Sequence, residues 1–437
     1  MWLMICKQLM NRWRSSLSVG LELLLVFCLA WFLMDYFFVE GYNRSLPAGR
    51  SCENVWLVEL GLLPENAREY VAAESDSANL PLHYARVLER LRAYPGVTGA
   101  GASYNCASLP YSPCYNGMGI RNVADTARTI GCMAMWFDPA TDFLAVFAHR
   151  RAADGQLVST TDFDWGDPRA VLITRQMERT LFGEASAVGK LITDEDDPAD
   201  NTAHKRVAGV LEDMKRLDND LPRGVILFPK RPDHAEIPEM NYFIRTDGTA
   251  SDARFAAAFM ERMSRELRVG NFFLKRLTPY HRYKADMEYA FGTTYEYRTR
   301  LALLAFLCVN ILLCVIGTFW YRVRTRRGEI GLRRAIGSGS GQVRGMLFRE
   351  GIVLLMMVTP FALLIEAQVM LAGLVDLPYG PQIVLPDNYW PAMMPLRFLL
   401  VNAAVWLLLA AAILAGICLP ATRAAEMEPA EALRYDG

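Results

Sequence analysis

The chain has 437 residues, 52% of them hydrophobic, with a formal net charge of −1 and a mean hydropathy of +0.13. An average of this kind combines long apolar runs with a water-soluble part, which excludes a uniformly soluble globule. The near-zero charge says little about partners, and the basic clusters flank apolar runs, where they set membrane topology rather than bind nucleic acid.

In chain order, residues 1–18 carry Lys7, Arg12 and Arg14 with no acid, and are expected in the cytoplasm. Residues 19–39 form a first span whose only charges are Glu22 and Asp35. About 20 apolar residues at a rise of about 1.5 Å suffice to cross the hydrocarbon core. The run is longer than the apolar part of a cleavable signal peptide and no small-residue cleavage site follows it. Cys28 follows bulky Phe27, which does not suit lipid attachment, so a retained helix is expected.

Residues 40–297 contain no further run of that length and should form a mixed α+β domain outside the inner leaflet. Strand patterns occupy residues 54–63, 131–137, 171–173, 206–211, 225–228 and 241–245. Helical patterns occupy 83–94, stopped by Pro95 and Gly96, and 174–182, closed by Gly183. A third helix over 251–267 has Ser251 as its cap and Phe255, Phe259 and Met263 along one side. The order is not a regular alternation of strand and helix, so α+β is expected.

Between Gly183 and Gly189-Lys190 lie five residues, and Leu191 follows. A phosphate loop needs four intervening residues and a Ser or Thr after the Lys, so this run reads as a helix cap and a turn. No other stretch supplies such a loop. The chain is therefore expected to hydrolyse no ATP, and it shows no catalytic arrangement of nucleophile and base or of paired carboxylates.

Of nine cysteines, Cys6, Cys28, Cys308, Cys314 and Cys418 lie in or beside apolar runs. Cys52, Cys106, Cys114 and Cys132 fall in the soluble domain, where an oxidising space permits two disulfides in any of three pairings. Cys106 and Cys114 close the shortest loop, with two prolines favouring a turn, and are the pair expected. No His stands at ligand spacing, so no metal site is expected.

Residues 287–300 lead into a second span over 298–321, and Tyr289, Phe291, Tyr295 and Tyr297 on this approach suit either an interfacial belt on a helix rising from the membrane or ordinary packing. A cytoplasmic loop follows at 322–345. The third span, 346–375, contains Pro360, Glu366 and Gln368. Glu366 reads as a hydrated group or a polar contact with another helix, ahead of a role in transport. Residues 376–397, with Tyr379, Tyr389 and Trp390, form a short outer link. The fourth span, 398–419, has Ala410 to Ala412 and Ala415-Gly416 for close helix approach, and residues 420–437 return to the cytoplasm.

The basic stretch over 321–350 organises the whole. It holds Arg322, Arg324, Arg326, Arg327, Arg333, Arg334, Arg344 and Arg349 against Glu329 and Glu350. Within it, 328–336 has the composition of a short amphipathic helix, with Ile330, Ala335 and Ile336 able to share one side and Arg333 and Arg334 the other. Glycines and serines over 337–341 break it.

RRGEIGLRRAIGSGSGQVRGMLFREGIVL over 326–354 resembles the signature that follows the second transmembrane helix of MacB/FtsX-type ABC transporter permeases. The end of the chain, Pro420 to Arg434, is similar to the same family's tail, with Glu428 where Asp or Asn is usual. Three outer stretches, 90–103, 170–192 and 205–214, resemble the family's extracytoplasmic core. His149 departs from a glycine expected before an Arg.

The resemblance implies four helical spans and an α+β domain of two packed subdomains, called Porter and Sabre, between spans one and two. It implies a mechanotransmitter, in which a separate ATPase, binding ATP and Mg, grips the short inner helix and its movement reaches the outer domain. Glu329, Ile330, Gly331, Arg333, Arg334, Ala335 and Gly337 would form the coupling surface, with Ile330 and Ala335 in the ATPase groove. A solvated loop serving only topology is the alternative. Two permease chains, alike or related, would make one unit in the bacterial inner membrane, with a periplasmic adaptor or outer-membrane channel as further partners. Its work would be export or extrusion of a peptide, toxin, lipid or lipoprotein. The alternatives are a signalling permease of the FtsX kind, regulating a cell-wall hydrolase or sensing antimicrobial peptides without transport, and a membrane enzyme or receptor unrelated to an ATPase.

Overall fold

The computed structural model describes residues 13–112, 114–195, 204–375 and 385–426. The chain divides into an α+β unit built on Asn43–Thr294 and a helical unit that takes the chain before and after it. The first helix, α1 (Trp13–Ser45), is apolar over most of its length. The α+β unit then runs β1 (Val55–Leu62), α2 (Asn79–Arg92), β2 (Val97–Tyr104), β3 (Asn116–Asn122), β4 (Thr129–Phe137) and the short α3 (Phe143–Val146). It continues through β5 (Ala170–Thr174), α4 (Arg175–Phe182), β6 (Leu191–Asp194), β7 (Lys205–Leu211) and β8 (Val225–Pro229), and ends with β9 (Met240–Thr246), α5 (Asp252–Glu266), β10 (Phe272–Pro279) and α6 (Tyr280–Ala290).

Four strands in the order β10-β1-β9-β2 pair antiparallel. Helix α2 buries Leu80, Tyr84, Val87, Leu88 and Leu91, and α5 buries Phe255, Phe259 and Met263, the spacing of one helical face. Both press on the same side of the sheet, where alternate residues Trp56, Val58, Ala100, Ala102, Tyr242 and Ile244 point. Taken together, β1-α2-β2 and β9-α5-β10 make a split βαβ, ferredoxin-like sandwich.

Between β2 and β9 the chain inserts six strands whose pairings close on themselves. β3 pairs with β4 and β6, β6 with β7, β7 with β5, β5 with β8, and β8 with β4. Among the described residues, the pair Ser103↔Phe137 alone joins this ring to the four-stranded sheet. The two subdomains are thus two parts of one hydrogen-bonded sheet. Odd residues Met133, Met135 and Phe137 of β4 enter one core with Phe143, Phe147, Phe243 and Tyr280, whereas Cys132 and Ala134 enter another with Val171, Ile173, Met177 and Leu181. Gly101 permits the contact of β2 with α3, because a Cβ there would lie 2.9 Å from the Cα of Phe143.

Two local readings shift. The helix expected over 83–94 starts a turn earlier, at Asn79, so that Leu80 joins the core. Ser251 stands at the N-cap of α5 but its side chain makes no capping bond.

The helical unit contains α1 and then α7 (Thr293–Thr325), α8 (Arg327–Ala335), α9 (Ser340–Leu371) and α10 (Met394–Glu426). All but α8 are long and apolar enough to cross a membrane, so the protein is a membrane protein with a large mixed domain between its first and second spans. Helix α7 is separated from α6 by Gly292 at φ +76°. On this approach Tyr289 and Tyr295 are exposed, while Tyr297 packs edge-on against Phe37. The small residues of α9 and α10 bring backbones close. A Cβ on Gly351 would meet Ile413 and Ile417 at under 3 Å, and one on Gly416 would lie 3.1 Å from the carbonyl of Leu312.

Candidate coupling site

The site is a short helix held between two long ones. At the end of α7, Arg322 is buried and pairs with Glu350 of α9, which is 4% exposed. The other oxygen of Glu350 accepts from Arg326 at 3.1 Å, and Arg326 is the N-cap of α8. One carboxylate therefore ties the end of α7 and the start of α8 to α9. A buried carboxylate is tolerated where charged donors satisfy it, and here two guanidinium groups do so. Ser340, at the start of α9, donates to the carbonyl of Ala425 on α10 at 3.3 Å.

Helix α8 itself has two unlike sides. Ile330, 1% exposed, and Gly331 are buried in the helical unit's own core beside Val343, Leu347 and Ala424. Glu329 and Arg333 pair at 2.8 Å on the exposed side, at the i,i+4 spacing that supports a helix. Ala335 and Gly337 are also exposed, and Arg334 is half-buried. Gly337 has φ +102°, and its amide and that of Ser338 donate to the carbonyls of Arg334 and Arg333. This left-handed glycine ends the helix and satisfies its last carbonyls.

The seven expected residues thus fall together, but not in equal roles. Ile330 faces its own chain, so it anchors α8 and does not fill a partner's groove. The apolar groups left open are Leu332, 53% exposed, and Ile336, 78% exposed. Sequence reasoning placed Ile336 on the same side as Ile330 and passed over Leu332. The contribution of Arg322, Arg326 and Glu350 was also missed, although opposite charges at the facing ends of consecutive spans were the available signal. The tail motif is seen only to Glu426, and its residues 427–434 lie outside the described residues, as do Lys7 and Tyr379.

Elsewhere, the Gly183–Lys190 run behaves as a cap and a turn: Gly183 and Gly189 have φ +66° and +83°, and Glu178 accepts from the amide of Ala187. Cys106 and Cys114 are exposed free thiols in contact. Their hydrogen bond, with some burial, raises the Cys106 thiol above its ordinary value. Cys52 and Cys132 belong to different cores. Glu366 is 1% exposed and lies near Asn402 of α10, but neither of its carboxylate oxygens has a hydrogen-bond partner among the described residues, and Asn402 donates instead to the carbonyl of Phe398. A second buried pair joins Asp35 of α1 to Arg397 of α10.

Residues 301–429, which include α8 and the three helices α7, α9 and α10 around it, match the model of the FtsX-like permease C-terminal domain. Over these residues the chain is similar to an FtsX-like permease domain. Among curated proteins, no sequence matches it. Three solved structures are similar to part of this chain. A domain of a permease protein from Porphyromonas gingivalis is 17% identical, with 52% of this chain and 91% of that one covered, at a TM-score of 0.33. The extracellular domain of the noncanonic ABC-type transporter YknZ from Gram-positive bacteria is 15% identical, with 50% and 100% covered, at 0.27. The periplasmic region of MacB from Actinobacillus actinomycetemcomitans is 10% identical, with 52% and 90% covered, at 0.31.

Proposed function

We propose that this FtsX-like permease is the membrane subunit of an ABC transporter that works by mechanotransmission. A separate ATPase subunit, which binds ATP and Mg, docks on the exposed side of α8 in the cytoplasm. The observation that carries this reading is the two-sidedness of α8: Ile330 is sealed into the chain's own bundle, while Leu332 and Ile336 stand open beside the Glu329–Arg333 pair. A short helix fixed on one side and apolar on the other offers a knob for a groove, with Arg333 and Arg334 placed for acids on its rim. Because Glu350 binds the residues at both ends of the α7–α8 link, a push on α8 moves α7 and α9 with it.

The two permease halves of a unit would be two copies or two related chains, both termini cytoplasmic and the α+β unit periplasmic or extracellular. The work done there is export or extrusion of a peptide, toxin, lipid or lipoprotein. Cys106 and Cys114, already in contact, close into a disulfide in that oxidising space.

The test is capture of the ATPase by the membrane-purified permease. R333E combined with I336D, both at exposed positions, is expected to abolish capture while helix content and thermal midpoint stay at wild-type values. A double variant that still captures its ATPase and keeps ATP-dependent activity would overturn the assignment.

A further inference from the structure

The α+β unit begins at Asn43, in the last turn of α1, and the loop after β7 is built around that turn. Lys215 is 1% exposed, yet its ammonium reaches no carboxylate at short range. It donates instead to the carbonyl of Asn43 at 2.6 Å and, more weakly, to that of Asp218 at 3.3 Å. The Asn43 carbonyl also accepts from the amide of Leu46 at 3.1 Å and lies at the negative dipole end of α1, where a cation is stabilised.

The backbone closes in from the same side. The amide of Lys215 donates to Ala48 at 3.2 Å, and its carbonyl accepts from Arg50 at 2.7 Å. Between them, Gly49 has φ +72°, and a Cβ on it would stand 2.0 Å from the carbonyl of Asp213. No side chain fits there, so residues 48–50 lie directly on 213–215. The neighbouring residues of the same loop hold α6, which leads into α7. Asp218 pairs with Lys284, and the Arg216 guanidinium lies 5.4 Å from the ring centroid of Phe291. Arg44 and Glu288, 3.9 Å apart, link the end of α1 to α6 directly.

We propose that the loop after β7 is a clasp, with Lys215 as the positioning residue that caps α1 from outside the helix and makes the α+β unit follow that helix when it moves. This inference rests on the mechanical reading above. Lys215 does no chemistry; it holds the last turn of α1 against the loop after β7.

Hydrogen exchange on the full-length chain in detergent tests the clasp without a variant. The amides of Lys215, which donates to the carbonyl of Ala48, and of Leu46, which donates to the carbonyl of Asn43, are expected to exchange only when β7 opens, and free exchange at both would overturn the proposal. K215M, which keeps the aliphatic stem and removes the donor, is expected to speed exchange at 46 and 215 about tenfold while the amides of β1 and β9 keep their protection. Unchanged rates at both would overturn it.

The mechanical consequence is read in the complex with the ATPase, from a distance between labels at exposed Val188 and exposed Tyr321. Wild type is expected to change that distance with nucleotide, and K215M to hydrolyse ATP at the same rate with the change at least halved. If wild type shows no change, the mechanical reading itself fails. If K215M changes as much as wild type, only the clasp fails.

Discussion

The two units of this protein place charge and oil in opposite ways. The α+β unit buries Phe143, Phe147, Phe243 and Phe259 completely and leaves ion pairs such as Arg276–Glu59 and Arg262–Glu266 at its surface. The helical unit exposes Leu25, Leu29, Phe306, Leu313, Phe361 and Leu407, and encloses Asp35 with Arg397 and Arg322 with Glu350. Removing apolar surface from water drives the first arrangement. In lipid that drive is absent between helices, so close contacts at Gly351 and Gly416 and the enclosed ion pairs must fix how the helices meet. Buried charge is therefore an exception in one unit and the fastening in the other.

The sharpest way to break this contrast is to remove the fastening. E350A leaves Arg322 and Arg326 enclosed without their counter-charge and is expected to cost about 3–5 kcal/mol. The measurement is the denaturation midpoint of the full chain in detergent. A variant as stable as wild type would show that the helical unit does not depend on this group.

An intermediate effect separates the units by pH. His149 is fully buried in the aromatic core of the α+β unit, and burial, reinforced by the nearby Arg50 guanidinium, pushes it down to about 3. The unfolded chain binds this proton near pH 6.5 and the folded one does not. The contribution to stability is thus complete above that pH and is lost as pH falls toward 3, by about 1.4 kcal/mol per pH unit. H149F is expected to flatten that slope for the α+β unit. An equal slope in wild type and H149F would exclude His149 as its cause.

The smallest effect belongs to the exposed Glu329–Arg333 pair. R333E alone is expected to change stability by no more than about 0.5 kcal/mol, because exposed pairs at this spacing are weak. A much larger loss in thermal midpoint would mean that the outer side of α8 is holding the chain together instead of standing free.

Much of this architecture was legible in the sequence. The spans could be read because a bilayer imposes a minimum apolar length, and α2 and α5 because their buried residues recur at three and four. β3, β6 and β10 left weaker marks. β3 is interrupted by Gly117 and Gly119, β6 has only four residues, and β10 places Phe272 and Phe273 side by side where alternation was sought.

At the candidate site, the residue types and the breaking glycines located α8, but its orientation did not follow. Ile330 falls on one side of the nine-residue helix, while Leu332 and the capping Ile336, four residues apart, fall on another, so the sequence defines no single apolar stripe, and packing within the helical unit decides which side turns inward. Lys215 gave no sequence signal, since its shorter bond is to the backbone carbonyl of Asn43, far away in the chain.

The ring of strands leaves the ferredoxin-like sandwich and returns to it at one place. β2 and β9 are neighbours, Tyr104 lies opposite Met240, and the amide of Asn105 already donates to the carbonyl of Glu239. As far as the four-stranded sheet is concerned, everything between is the tip of a hairpin, and a turn of about two to five residues would close it. The sandwich can therefore keep its own fold while its insert is lengthened, shortened or exchanged.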